Sequence, residues 1–401
     1  MGRWLSIVGI GEDGLDGLSA AARTLIDDAA ILIGGERHLA MVPDDGRERL
    51  PWPTPLINLV DEIVERRDRQ VCVLATGDPL YYGVGVTLAK RVPIDEMIIV
   101  PGPSAFALAA ARLGWPRAET ETLTLHGCPV SLVQSYIQPG ARLLILSDSG
   151  ATPAKVATLL AARGYGESRV TVLEHMGGPR DRQITGAAAT WRQADVADFN
   201  TIAVECVADA DAPLLSRVPG LPDDAFRHDG QLTKREVRAA TLAALAPVPG
   251  QLLWDVGAGS GAIGIEWMRS HFTCRAVAIE RDAARASTIA ENAEQLGTPK
   301  LDVVNGEAPT ALTELDSPDA IFIGGGVATS GVMETAWRSL TPGGRLVANV
   351  ITLEGEQKLF AWQQSHGGAL SQIAVSHAEP IGSFTGWAPS RPVTQYVATK
   401  R

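Results

Sequence analysis

The chain reads as an α/β protein built from two consecutive lobes and a further open sheet, and three observations carry that reading. Strand-like apolar runs alternate with helix-like runs from residue 3 to residue 209 and again from about residue 226. Many of the strand-like runs stop abruptly in glycine, where a backbone can turn tightly or approach a ligand. Asp209 to Pro222, DADAPLLSRVPGLP, has three prolines and no period, and it separates the two series. The expected organisation is therefore 1–210 for the two lobes, with their boundary near residue 115, then a linker at 211–224 and a last domain at 225–401.

In order, RWLSIVGIG, AAILIGG, QVCVLATG and EMIIVPG read as strands of the first lobe, with helices in LSAAARTLIDDA, LINLVDEIVERR and SAFALAAARLG. After Trp115 and Pro116 the alternation resumes with strands TLTLHG, ARLLILSDSG, RVTVLEHMGG and TIAVECVA around the helix AKVATLLAARG. Beyond the linker, helix TKREVRAATLAAL precedes strand LLWDVGA. The chain closes on two further strands, QIAVSHAEPI and PVTQYVATK.

Composition removes several function classes. A chain of 401 residues with 45% apolar and 20% charged residues describes a soluble globular protein of two or three domains. The net charge of −11 disfavours general nucleic-acid binding, which rests on phosphate neutralisation, but leaves room for an anionic small molecule if arginines gather locally. No apolar run reaches the length of a membrane span, and Trp4 to Ile10 is too short for a signal peptide. MGRWLS matches the myristoylation pattern literally, yet reads better as the start of a buried strand. Cys72, Cys128, Cys206 and Cys274 lie far apart inside or beside apolar runs, as core thiols of a reducing cytoplasm would. The seven histidines show no metal-ligand spacing, so no metal is expected.

The densest chemical signal is LLWDVGAGSGAIG at Leu252 to Gly264. Gly257, Gly259 and Gly261 free the backbone for a close approach, a helix should start at once, and Glu280 ends the next strand-like run AVAIE, where it can hold both hydroxyls of a ribose. Gly259 to Gly264 also satisfies the GxGxxG of NAD sites. Asp255 before the first glycine, GGG at Gly324 to Gly326 and LTPGGRLV at Leu340 to Val347 decide between them: together they resemble the Rossmann-like class I S-adenosylmethionine (SAM) methyltransferases. The resemblance implies that Thr233, Gly257, Ala258, Gly259, Ser260, Gly261, Glu280 and Ala308 contact SAM.

The N-terminal half is punctuated differently, by GIGEDG at Gly9, ATGDPLYYG at Ala75 and VPGPSAFALAAARLG at Val100. Singly these are good turns and a good helix start, with Ser104 as N-cap. In this order and spacing they resemble the tetrapyrrole methyltransferases, the class III SAM fold of two αβα lobes with the cofactor folded in the cleft between them. That resemblance implies a cofactor lined by Gly77, Asp78, Tyr81, Ser104 and Ala105, with Ser147 and Gly177 contributing from the second lobe. One departure stands out: the family has Gly-Pro-Gly in its first loop, whereas this chain has Gly11, Glu12 and Asp13.

Both SAM folds in one chain, with GGERHL at Gly34, LTLHG at Leu123, LTKREVR at Leu232 and GEAPTAL at Gly306, resemble the decarboxylating precorrin-6Y methyltransferases of cobalamin biosynthesis. The resemblance implies two SAM sites per chain. It implies methylation of an anionic tetrapyrrole, precorrin-6Y, at meso carbons 5 and 15, and loss of carbon dioxide from the ring C acetate to give precorrin-8X. A cytoplasmic homo-oligomer with no nucleic-acid or membrane partner is expected.

A meso carbon flanked by pyrrole nitrogens is enamine-like and already nucleophilic, so aiming it at a sulfonium methyl is the main task. The sequence accordingly shows no nucleophile-and-base constellation, and no catalytic residue is assigned. Arg37, Arg235 and Arg238 are candidates for pairing with substrate carboxylates. His38 and His126 read as packing histidines. Two other readings stay open: an RNA or small-molecule methyltransferase fused to an unrelated α/β domain, although IFIGGG stands where an Asn-Pro-Pro-Tyr type strand end would be, and a scaffold that binds SAM and transfers nothing.

Overall fold

The computed structural model describes residues 2–401; Met1, and with it the first residue of MGRWLS, lies outside the described residues. The chain forms two compact units, residues 1–130 with 139–212, and residues 131–138 with 213–401.

The first unit contains two sheets. β1 (Leu5–Ile10), β2 (Ile31–Gly34), β3 (Glu48–Pro51), β4 (Val71–Thr76) and β5 (Met97–Val100) form one sheet in the order β3-β2-β4-β1-β5, with all pairs parallel. A parallel sheet is covered on both faces, which explains why β1 is an unbroken buried run. Leu5 and Ile7 enter one core with Ile33, Val60 and Val73, while Val8 and Ile10 enter the other with Ile26, Leu32 and Leu74. The second sheet is mixed: β6 (Glu121–Thr124), β7 (Arg142–Leu146), β8 (Arg169–Glu174), β9 (Arg182–Ala187) and β10 (Asn200–Glu205) run in the order β6-β7-β10-β8-β9. Only β6 and β7 are parallel neighbours there.

The helix Ala105–Leu113 starts at Ser104, whose hydroxyl accepts from the Ala107 N–H at 3.2 Å, and ends at Gly114 in the left-handed region. Its buried residues Phe106, Ala109 and Ala110 pack with Leu144, Leu173, Met176 and Ala203 of the second sheet. The apolar stripe of this helix thus contributes to the core of the second sheet from Phe106 onward.

The second unit holds a seven-stranded sheet. β11 (Leu252–Val256), β12 (Arg275–Glu280), β13 (Asp302–Asn305), β14 (Ala320–Ile323), β15 (Arg345–Val350), β16 (Ala369–Ile373) and, after a hairpin of β17 (Ser376–Ile381) and β18 (Phe384–Pro389), β19 (Val393–Thr399) give the order β13-β12-β11-β14-β15-β19-β16. The first five strands are parallel, and β19 runs antiparallel to β15 and β16. QIAVSHAEPI is not one strand: the chain leaves the sheet after Ile373 pairs with Val393, because the preceding residue on β19's side is Pro392, which has no N–H to offer. The remainder, Ser376 to Ile381, pairs with β18 in a solvent-exposed hairpin.

The proline-rich segment is not a free linker. Leu215 and Leu221 are buried in the core with Trp267 and Leu296. The Gly220 and Leu221 N–H groups donate to the Glu266 carboxylate at 2.6 and 3.1 Å, and Arg269 donates to the Leu215 carbonyl at 2.7 Å. Residues 131–138, expected in the N-terminal half, belong to this unit too, with the Gln138 amide donating to Leu215 O at 2.7 Å. No helix among the described residues is long and apolar enough to cross a membrane, and no His, Cys, Asp or Glu group among them could hold a metal. Cys72, Cys206 and Cys274 are buried and Cys128 is half-buried, and none of the four is in a disulfide.

Candidate active sites

In the second unit the strand ends open into a cleft of about 890 Å³. β11 stops at Gly257, which has φ +71° and lies against Gly325, so that any Cβ would strike the Gly324–Gly326 turn after β14. Gly259 is also left-handed, at φ +60°. Its N–H donates to Glu280 Oε2 at 2.9 Å, and Glu280 Oε1 accepts from the Asp282 N–H at 3.1 Å. The carboxylate at the end of β12 is thus aimed before any ligand arrives.

Of the residues that the resemblance assigns to SAM, Thr233, Gly257, Ala258, Gly259, Ser260, Glu280 and Ala308 all line this cleft. Gly261 does not; with φ +77° it turns the chain into the helix Ala262–Ser270 and lies against Ile289. Asp255 is buried beneath the loop, where its Oδ2 accepts from the Gly264 N–H at 2.9 Å and its Oδ1 has no partner. Burial pushes its carboxyl up to about 7 against the Gly264 hydrogen bond, with Glu280 adding to the rise.

The first unit brings a second group together. Gly9, Gly77 and Gly102 meet at the ends of β1, β4 and β5, with Gly77 N–H donating to Ile10 O at 3.1 Å and Gly102 N–H to Gly77 O at 2.9 Å. A Cβ on Gly77 would sit 2.8 Å from Pro103 O and 3.0 Å from the Ser104 Cα, so Gly77, Ser104 and Ala105 form one backbone-lined corner. Asp78 Oδ1 accepts from the Leu80 N–H at 2.9 Å and shapes the turn that presents Tyr81. The Tyr81 ring packs on Phe106 at 5.1 Å, and its hydroxyl bonds to that of Thr122. Ser147 and Gly177, at the ends of β7 and β8, are held by their own loops: the Ser147 hydroxyl donates to Ser149 O at 2.8 Å, and the Gly177 N–H donates to Asp181 at 2.9 Å.

Several polar candidates play other parts. Arg238 cannot reach a substrate, since it is fully buried and bonded to Glu266, Asp223 and the carbonyls of Thr233 and Leu221. Arg235 is exposed. Arg37 is ion-paired to Glu12 and stacks over Phe199 at 4.3 Å. His126 is not a packing residue: its side chain is exposed beside Asp148, because β6 ends two residues earlier. His38 is buried, with Nε2 3.0 Å from the Thr76 hydroxyl, and burial lowers its pKa to about 4, with Arg37 adding to the fall. His175, His377 and Arg391 were not singled out from sequence, although the last two line the C-terminal cleft.

Two family profiles cover the chain side by side, Tetrapyrrole (Corrin/Porphyrin) Methylases over residues 5–190 and Precorrin methyltransferase domain over residues 224–400. A precorrin-6Y C(5,15)-methyltransferase [decarboxylating] of a Sinorhizobium species is 48% identical, over 99% of this chain and 96% of its own length. The chain belongs to the precorrin-6Y C5,15-methyltransferase (decarboxylating) family. Members of this family are SAM-dependent methyltransferases, and the cleft beside Glu280 fits such a cofactor: it is open, walled by the Gly257 to Ser260 loop, and carries a carboxylate already held by the Gly259 and Asp282 N–H groups. Two shorter Salmonella typhimurium proteins are each similar to part of the chain at 34% identity. The cobalt-precorrin-7 C(5)-methyltransferase matches 44% of this chain and 88% of its own length. The cobalt-precorrin-6B C(15)-methyltransferase (decarboxylating) matches 40% and 85%.

Proposed function

We propose that this chain methylates precorrin-6Y at meso carbons 5 and 15 and removes carbon dioxide from the ring C acetate, giving precorrin-8X, with one SAM site in each unit. The N-terminal unit adds the carbon 5 methyl; the C-terminal unit adds the carbon 15 methyl and decarboxylates. The observation that carries this division is that each unit has its own set of glycine-lined strand ends, under its own family profile. The separate C(5) and C(15) relatives support it. Cytoplasmic assembly of identical chains completes the reading, supported by the apolar hairpin tip where Ile381, Phe384 and Trp387 stand exposed.

Bound SAM supplies an activated methyl group. The residues of the chain hold and aim it: Glu280 takes the ribose hydroxyls, while Gly257 to Ser260 and Ala308 wall the C-terminal cleft. Gly77, Asp78, Tyr81, Ser104 and Ala105, with Ser147 and Gly177, do so in the N-terminal unit. Such alignment contributes about 7 to 11 kcal/mol of barrier lowering, enough for a carbon that is already nucleophilic. Decarboxylation draws on the conjugated macrocycle as electron sink.

The test is mass spectrometry of the product formed by the full chain from precorrin-6Y and SAM. Asp78→Ala should lose only one methyl group and keep decarboxylation, whereas Gly259→Arg should lose the other methyl together with decarboxylation. A folded Asp78→Ala protein that adds both methyl groups at the normal rate, or a Gly259→Arg protein that still releases carbon dioxide, contradicts the division.

A further inference from the structure

The first loop of the N-terminal unit departs from its family's Gly-Pro-Gly at Glu12, and the structure gives that residue specific partners. Glu12 follows the end of β1, its side chain is only 8% exposed, and it bridges both lobes. One carboxylate oxygen pairs with Arg37, which follows β2. The other lies 3.0 Å from Nδ1 of His175, the residue directly after β8. Gly178 leaves room for this: a Cβ there would fall 2.7 Å from the Glu12 Cβ. His175 adopts φ +45°, unusual for a residue other than glycine, and its ring rests 5.6 Å from that of Phe199. Its Nε2 has no protein partner among the described residues. These groups stand at the same strand ends as Gly77, Ser147 and Gly177, where ligands of open α/β sheets bind.

We propose that His175 is the proton acceptor of the N-terminal methyl transfer and that Glu12 is its positioning residue. The inference rests on the assignment of carbon 5 methylation to this unit. When the meso carbon forms its bond to the methyl group, the carbon–sulfur bond breaks and sulfur keeps that electron pair. The macrocycle is left cationic, with a hydrogen and a methyl on the same saturated carbon. Removing that proton returns the C–H electron pair to the ring system and restores conjugation. Glu12 holds the proton of the neutral imidazole on Nδ1, which leaves the lone pair on Nε2, the same division of labour that a carboxylate imposes on a base histidine elsewhere.

The titratable groups facing the pair are Arg37 and the neutral His38 from the helix after β2, Glu174 at the end of β8 and Arg180 in the loop that follows it. Burial and then Arg180 lower the pKa of His175, Glu174 opposes them, and Arg37 adds a further fall. The imidazole is therefore neutral and able to accept a proton near pH 7.

His175→Gly in the full chain tests this, because glycine accepts the positive φ and leaves a space for free imidazole. Carbon 5 methylation should drop by about 10²-fold or more, and added imidazole should restore it, with the acid limb of the pH profile moving to the ionisation of imidazole. Carbon 15 methylation and decarboxylation by the same molecules serve as the internal control. Carbon 5 methylation within about threefold of the unaltered chain overturns the inference, as does a loss that imidazole does not relieve. Glu12→Gln gives an arm independent of turnover: nitrogen NMR should show His175 as the Nδ1–H tautomer in the unaltered chain and as a mixture in the variant. An unchanged tautomer would remove Glu12 from its role. If the unaltered chain itself fails to methylate carbon 5, the functional reading fails rather than this one.

Discussion

Glu280→Gln separates binding from folding at the C-terminal cleft. The carboxylate is 5% exposed and already accepts from the Gly259 and Asp282 N–H groups at 2.9 and 3.1 Å. A glutamine amide can accept on one side only, so one of those donors loses its partner. That cost falls on free and bound protein alike and shows in melting temperature, not in affinity. The part that changes on binding is the charge-assisted hydrogen bonding to the ribose hydroxyls, worth about 1.5 to 3 kcal/mol. The dissociation constant for S-adenosylhomocysteine should therefore rise about 10- to 150-fold at one site. Isothermal calorimetry on the full chain should resolve two sites, one weakened and one at its original affinity. Two unchanged affinities in a variant whose melting temperature has fallen would refute the ribose role of Glu280.

The buried Asp255 makes the unliganded second unit sensitive to pH. Its pKa is raised on folding from an ordinary 3.8 to about 7, so the folded state holds the proton more tightly and stability is lost as pH climbs through that window. Asp255→Asn should flatten the decline, by up to about 4 kcal/mol, in denaturant titrations at pH 4 and pH 8. Leu221→Ala should cost about 2 to 5 kcal/mol of that unit's stability, since Leu221 is 2% exposed in its core. By the same reasoning residues 213–401 should melt well above residues 225–401, and equal melting temperatures would return the proline-rich segment to the status of a linker.

Local pattern made most of the fold legible. Runs such as LSIVGI and LLWDV are buried throughout because parallel strands are covered on both faces. The parts proposed for the C-terminal site were legible for a related reason: Gly257, Glu280 and Gly324 directly follow or end β11, β12 and β14, three strands that lie side by side in the sheet. Glu12 and His175 were not, since they are separated by 163 positions and meet only through the folding of two lobes. The segment Pro213–Pro222 looked like a linker because its prolines break every period, yet two leucines suffice to anchor it. Arg238 looked like a substrate ligand for want of any sign that Glu266 lies beside it.

The corner of Gly9, Gly77 and Gly102 joins three loops by backbone alone, leaving no space for a methyl group at Gly9 and little at the other two. Loops bonded in this way cannot drift apart in sequence independently: a change at one position would require the other two strand ends to retreat together. Variation in this unit is then left to the side chains around the corner, such as Tyr81 and Thr122, while the corner itself is inherited as one part.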